Sequence, residues 1–236
     1  MDASLYLFPS LLGDNNWEEV LPKKNIESIL ECECFIVEEL RSARRFLRKI
    51  GYKKDFDTCS FSVLNEHTQD TEVEDMLKPI LEGKNIFLMS EAGLPCIADP
   101  GAKVTALAQR KGINIVPFVG PSSIFLSLMA SGFNGQNFAF IGYLPVKDGE
   151  REKALRKLEE RIYRENQTQI FIEAPYRNNK LISCLTKTLK DETLLCIASN
   201  ITLENQSIKA KAIREWKKEK DLDINKQNTI FLLYRQ

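Results

Sequence analysis

Three short stretches set proton acceptors close to cations or to one another. "EELR" carries Glu39 and Arg41, "NEHT" carries Glu66 and His67, and "EAPYR" carries Glu173 and Arg177. A carboxylate or an imidazole can take a proton from a weak nucleophile. A guanidinium can hold a phosphate through two parallel hydrogen bonds. Each stretch also has a plainer reading. Glu39 and Arg41 could be an acid and a nearby cation at a helix N-terminus. His67, the only histidine, could be a loop residue, and Glu173 with Arg177 could be a structural pair at a strand–helix junction.

A fourth stretch, "SEAGLPCIADPG" at 90–101, follows the apolar run "NIFLMS". Its glycines let backbone groups approach a ligand closely, and its prolines limit loop entropy. The chain has no G-x-G-x-x-G after its first apolar run and no G-x-x-x-x-G-K-[ST] anywhere, so ordinary dinucleotide and P-loop phosphate cradles are disfavoured. Such a loop suits a ligand without phosphate, and S-adenosylmethionine is one: an adenosine, a sulfonium and an amino-acid tail.

The elements that must position these residues alternate between strand and helix. "SLYLFPS", "CFIVEE", "TCSFSVL", "NIFLMS" and "INIVPFV" read as strands. "LRSARRFLRKIGY" reads as a helix closed by glycine, as does "AKVTALAQRKG". "DTEVEDMLKPILEGK" has Val73, Met76, Leu77, Ile80 and Leu81 at helical spacing and predicts one helix. "GPSSIFLSLMASG" predicts a helix with Pro121 in its first turn and serines satisfying its free N–H groups. Beyond it, a charged helix at about 149–165 precedes "TQIFIEAP", "YRNNKLISCLTKTLK", "TLLCIASN", "SIKAKAIREWKKE" and "NTIFLLYR": strand, helix, strand, strand into short helix, strand.

The fold class is therefore α/β: an N-terminal parallel sheet with flanking helices, then a second α/β lobe. The expected lobes are 1–120 and 121–236, with "GYLPVKDGE" at 142–150 as a linker or cleft wall. In an open parallel sheet, ligands bind beyond the carboxyl ends of the strands. "PSLLGD", "EELR", "NEHT", the 90–101 loop and "GPSS" all fall there.

Composition sets the outer bounds. The 236 residues are 43% hydrophobic and 28% charged, ordinary soluble-globular usage. No apolar run approaches the roughly 18 residues of a membrane span, and the opening "MDASLYLFPS" lacks a secretory pattern. Six scattered cysteines with no C-x-x-C and one histidine make a metal site an unfavoured reading and suit a reduced, cytoplasmic chain. Residues 1–120 hold 14 Lys+Arg against 19 Asp+Glu, and residues 121–236 hold 19 against 14. The basic second half could face an anionic partner, although "REKALRKLEERIYRE" interleaves both signs as a solvated helix would.

"LYLFPSLLGD", "VEELR", "NEHT", "SEAGLPCIADPG", "FVGPSSIFLSLMASG", "GYLPVK" and "FIEAPYR" occur in that order. The series resembles the tetrapyrrole methylase family of S-adenosylmethionine-dependent enzymes. Within that family it is most similar to methyltransferases that act on a cytidine 2′-hydroxyl of small-subunit ribosomal RNA. The resemblance implies a two-lobed fold whose second sheet is mixed, a cofactor folded in the cleft between the lobes, a homodimer, and ribosomal RNA or the small ribosomal subunit as partner. It places cofactor contacts at Leu12, along the 90–97 loop at Ser90, Ala92, Gly93, Leu94, Pro95 and Ile97, and at Gly120, Pro121, Ser122 and Ser123. From the second lobe it adds Ile172, the backbone near Ala198, and Asn228. This chain departs from the RNA enzymes at Leu40, where they carry threonine, and at Glu91 and Leu94. Two other readings stay open: a small-molecule methylase with a porphyrin-like or other acidic substrate, and a catalytically weak cofactor-binding homologue.

Overall fold

The computed structural model describes residues 3–235. Contacts divide them into two compact units, parted between Ser122 and Ser123.

The first unit holds β1 (Ser4–Phe8), β2 (Cys34–Val37), β3 (Ser60–Val63), β4 (Ile86–Met89) and β5 (Asn114–Pro117), all parallel, in the order β3-β2-β4-β1-β5. Its helices are α1 (Lys23–Leu30), α2 (Leu40–Lys49), α3 (Asp70–Met76), α4 (Lys78–Leu81) and α5 (Gly101–Arg110). The central strands are apolar on both sides because both sides are covered. Phe35, Val37, Phe87 and Met89 pack with Ile26 and Ile29 of α1 and Leu47 of α2. Cys34, Ile36, Ile86 and Leu88 pack with Val73 and Met76 of α3 and Val104 and Ala108 of α5. Strand order explains the layering. The chain steps one way across the sheet from β1 to β3 and back the other way from β3 to β5. Crossovers of a single hand then put the two helix sets on opposite faces.

The second unit holds α6 (Ser123–Ser131), β6 (Phe138–Tyr143), α7 (Asp148–Glu165), β7 (Thr168–Ile172), α8 (Asn178–Thr188), β8 (Leu194–Ser199), β9 (Ser207–Ala212), α9 (Ile213–Trp216) and β10 (Thr229–Tyr234). The sheet order is β6-β7-β10-β8-β9, with β6 and β7 parallel and the remaining pairs antiparallel. Leu155, Leu158 and Ile162 of α7 and Leu181 and Leu185 of α8 close one face over Phe171, Leu195 and Phe231. The α/β class, the parallel first sheet and the mixed second sheet match the sequence reading.

Three local expectations are corrected. The stretch 70–84 is two helices, because Pro79 has no N–H to donate and its ring disturbs the preceding turn. Leu81, which ends the second of them, is 82% exposed. Pro121 is buried ahead of α6, which starts at Ser123, so it is not a first-turn proline. The stretch 142–150 is no linker between units: it ends β6, turns and opens α7, all inside the second unit. Arg151, 1% exposed, holds that turn by donating from Nε to Pro145 O at 2.9 Å and from Nη2 to Val146 O. Two elements had no sequence expectation, α1 and β6.

Candidate active site

Three loops of the first unit are joined at the carboxyl edge of its sheet. Ser10, just after β1, and Gly93, after β4, exchange backbone hydrogen bonds of 2.9 and 3.2 Å. Ser10 Oγ donates to Ser90 O at 2.7 Å. From the loop after β5, Val119 O accepts Asn25 Nδ2 at 2.7 Å, which ties that loop to α1. β1 and β4 are neighbours whose following chains leave toward opposite faces, the topological position at which open α/β sheets bind ligands.

Two glycines make this closeness possible. A Cβ on Gly120 would lie 2.2 Å from Pro9 Cβ. Gly93 has φ +74°, and a Cβ there would meet Leu12 Cδ2 at 3.0 Å and Pro121 O at 3.3 Å. Further along, Cys96 and Ala98 also hold positive φ, 69° and 64°, a strained shape for residues with a Cβ. Asp99 Oδ1 fastens the loop's end by accepting Gly101 N–H at 2.7 Å. Burial pushes the Asp99 carboxyl above its ordinary value, against the pull of backbone N–H donors.

Among the expected cofactor contacts of this unit, Ser90, Gly93, Pro95 and Pro121 are buried. Leu12, Leu94, Gly120 and Ser122 are half-buried, and Ala92 and Ile97 are exposed. The 90–101 loop bears Glu91 and Asp99 and no Lys or Arg. An edge of backbone groups, glycine and carboxylates does not suit a polyphosphate. It suits a ligand that is itself cationic and offers hydrogen-bond donors, which describes the sulfonium and amino-acid end of S-adenosylmethionine.

The adjacent acids of "EELR" have different surroundings. Glu39 is exposed and caps α2: its carboxylate accepts Arg41 N at 2.8 Å, Ser42 N at 2.6 Å and Ser42 Oγ at 2.8 Å. These donors hold its carboxyl below the ordinary value. Arg41 is exposed on the first turn of α2. Glu38, which the sequence reading passed over, is half-buried, and its Oε1 accepts Glu91 N–H from the loop after β4 at 3.0 Å. Glu66 and His67 face solvent after the edge strand β3, 85% and 86% exposed and 3.5 Å apart, so the fold does not bring them against the joined loops.

The second unit gathers its expected residues at one edge of its own sheet. Ile230 of β10 pairs with both Ile172 of β7 and Ala198 of β8. Asn228 O accepts Asn200 N–H at 2.8 Å beside them. Ala198 is fully buried, so its backbone is what it can offer a ligand. Ser123 opens α6 and is half-buried. Directly after Ile172, the Glu173 side chain is wholly buried. Its Oε1 accepts Arg177 Nε at 2.9 Å, Arg177 Nη2 at 2.5 Å and Ala174 N at 2.8 Å, while Oε2 is buried without a partner. Arg177 also donates from Nη1 to the hydroxyl of Tyr176 at 2.9 Å and lies 5.1 Å from that ring's centre. The bond to Glu173 raises the Arg177 pKa further. Tyr176 is 68% exposed and was also passed over in the sequence. Its signal was an aromatic beside an arginine in a strand-end loop.

Comparison with known proteins places these features in context. The family model of the Tetrapyrrole (Corrin/Porphyrin) Methylases matches residues 18–216. A protein of Haemophilus influenzae named Ribosomal RNA small subunit methyltransferase I is 28% identical over 215 residues, 90% of this chain and 72% of that protein. A Thermotoga maritima protein of the same name is 28% identical over 200 residues, 84% of this chain and 86% of that protein. The solved structure of the methyltransferase CobJ superposes with a TM-score of 0.64 at 14% identity, covering 99% of this chain and 94% of that one. The cobalamin biosynthetic enzyme cobalt precorrin-4 methyltransferase, CbiF, gives 0.61 at 14% identity, covering 98% and 94%.

Proposed function

The chain belongs to the tetrapyrrole methylase family, and from that premise we propose that it methylates the 2′-hydroxyl of a cytidine in small-subunit ribosomal RNA, using S-adenosylmethionine. The observation that carries the reading is the junction of the β1 and β4 loops through Ser10 and Gly93, a close-packed edge without a phosphate cradle. The names of the relatives support ribosomal RNA as substrate.

When bound, S-adenosylmethionine supplies a methyl group already activated by its sulfonium. Leu12, Ser90, the backbone of 92–95, Ile97 and Gly120–Ser122 are the residues of the first unit to hold it. The protein's task is alignment and exclusion of water, since the leaving group needs little help. Arg177, oriented by Glu173, is placed to hold an RNA phosphate, and the exposed Tyr176 ring offers a face on which a base can stack.

Helix α2 adds Arg41, Arg44, Arg45, Arg48 and Lys49 with no acid in its length, a basic stretch on an otherwise acidic half. The chain acts as a homodimer in the cytoplasm. α6 exposes Met129, 76%, one turn beyond the half-exposed Phe125, an apolar strip fit for a second copy. Among the described residues no helix is long and apolar enough to cross a membrane.

The test uses S-adenosylmethionine with a labelled methyl group and small ribosomal subunits lacking their own 2′-O-methylation. Label recovered as 2′-O-methylcytidine is the expected result. Cofactor binding without labelled RNA would redirect the search to small molecules. Absence of both would leave a non-catalytic homologue.

A further inference from the structure

Glu38 sits one residue past β2, at the carboxyl edge that the joined loops form. β2 pairs directly with β4, with Val37 opposite Met89. The next residues along each strand therefore lie side by side, and Glu38 reaches the start of the 90–101 loop, where Oε1 takes the Glu91 N–H at 3.0 Å. A carboxylate has acceptor capacity on both oxygens. This one spends one oxygen on orientation and keeps the other. It is therefore both fixed and open, which a proton acceptor has to be.

Its neighbour provides an internal comparison. Glu39 has both oxygens committed to the first turn of α2, and three donors stabilise its anion. Two adjacent carboxylates thus have two environments, and the environments separate their roles.

Resting on the methyltransferase reading above, we propose that Glu38, not Glu39, accepts the proton of the acceptor hydroxyl. In that step the O–H bond breaks and its proton passes to the free oxygen of Glu38. The hydroxyl oxygen bonds to the methyl carbon as the carbon–sulfur electron pair returns to sulfur, so charge and atoms balance. The acids that face Glu38 from the β4 loop are Glu91 and Asp99. Burial first, and then these two charges, push its carboxyl above the ordinary glutamate value, while the Glu91 N–H pulls it down. A weaker acid is a stronger base for a hydroxyl proton.

Two measurements test the assignment on the full chain. The first follows the Glu38 carboxyl by carbon-13 NMR across a pH titration of cofactor-free protein, with E38Q used to identify the resonance. Its midpoint is expected above 4.5 and that of Glu39 below 4.5. A Glu38 midpoint at or below 4.5 overturns the proposal. The second compares single-turnover methylation by wild type, E38Q and E38D, with cofactor binding measured separately by calorimetry. E38Q is expected to slow transfer by about 100-fold or more at unchanged cofactor affinity, with part of the rate restored in E38D. E38Q transferring at the wild-type rate overturns the assignment and leaves the methyltransferase reading standing. A wild-type chain that binds cofactor but labels no RNA sinks that reading, and the assignment with it.

Discussion

Arg177 and Glu173 show how much a single pairing can carry. Glu173 is wholly buried and its companion arginine is 23% exposed. Removing the cation would strand an anion where water cannot reach it. Arg177→Met should destabilise the protein by about 3 kcal/mol, toward the low end of buried-pair losses because the arginine is partly solvated. The Glu173→Gln, Arg177→Met double variant should recover part of that loss, and urea melts of the full cycle would measure it. In the first unit the two acids of "EELR" are shifted in opposite directions. Glu39 has its folded-state pKa lowered, so its contribution is present above the unfolded value and fades as pH falls through the folded one. Glu39→Gln should therefore lower the melting temperature at pH 7, with the difference closing as pH drops below about 4.5. Glu38 has its pKa raised, so its ionisation costs the fold stability as pH rises above its unfolded value. Glu38→Gln should gain melting temperature at pH 8 and lose that gain near pH 4, a stabilised but slowed enzyme.

Elements depend on contacts that no local pattern announces. Gly120 was expected at the site from its motif, yet what compels a glycine there is Pro9, more than a hundred residues earlier in the chain. Gly120→Ala should cost about 3 kcal/mol, read by denaturant unfolding, because the clash is with a rigid proline ring. Gly93→Ala should cost ~1–2 kcal/mol from its left-handed backbone, with further loss if Leu12 cannot give way. The turn before α7 follows the same logic, since the buried Arg151 donates to two of its carbonyls. Arg151→Met should cost about 3 kcal/mol on the same assay. In contrast, the break at Pro79 was legible in the sequence and was passed over, because helical spacing of Val73 to Leu81 continues straight through it.

The molecule as a whole is neutral, with 33 Lys+Arg and 33 Asp+Glu, so nothing in its net charge draws it to RNA. On the proposed function, attraction to RNA would come from a local concentration such as α2, with five cations and no acid. Affinity for small ribosomal subunits should therefore fall with salt. Arg41→Glu with Arg45→Glu should weaken binding and flatten the salt dependence by about two in log–log slope if each meets one phosphate. A titration at several potassium chloride concentrations would read both. Within each unit the core is continuous from sheet to helix on a scale the sequence can encode by spacing alone.

The sequence by itself determined most strands, most helices and the identity of the loops that end those strands. Apolar periodicity and glycine punctuation are local signals, and they made every strand but β6 legible among the described residues. β6 escaped because its apolar residues follow the broken stretch "GFNGQN", and α1 because only Ile26, Ile29 and Leu30 mark its face. Ordered motifs also pointed to the family, since the loops keep their order whatever the strand arrangement. Tertiary structure alone decided which carboxylate is tied down and which is free. Glu38 and Glu39 are chemically identical and adjacent. Only the pairing of β2 with β4 brings Glu38 under the Glu91 N–H, while the first turn of α2 claims Glu39. A pKa is set by burial and by neighbours distant in sequence, and those exist only once the sheet has formed.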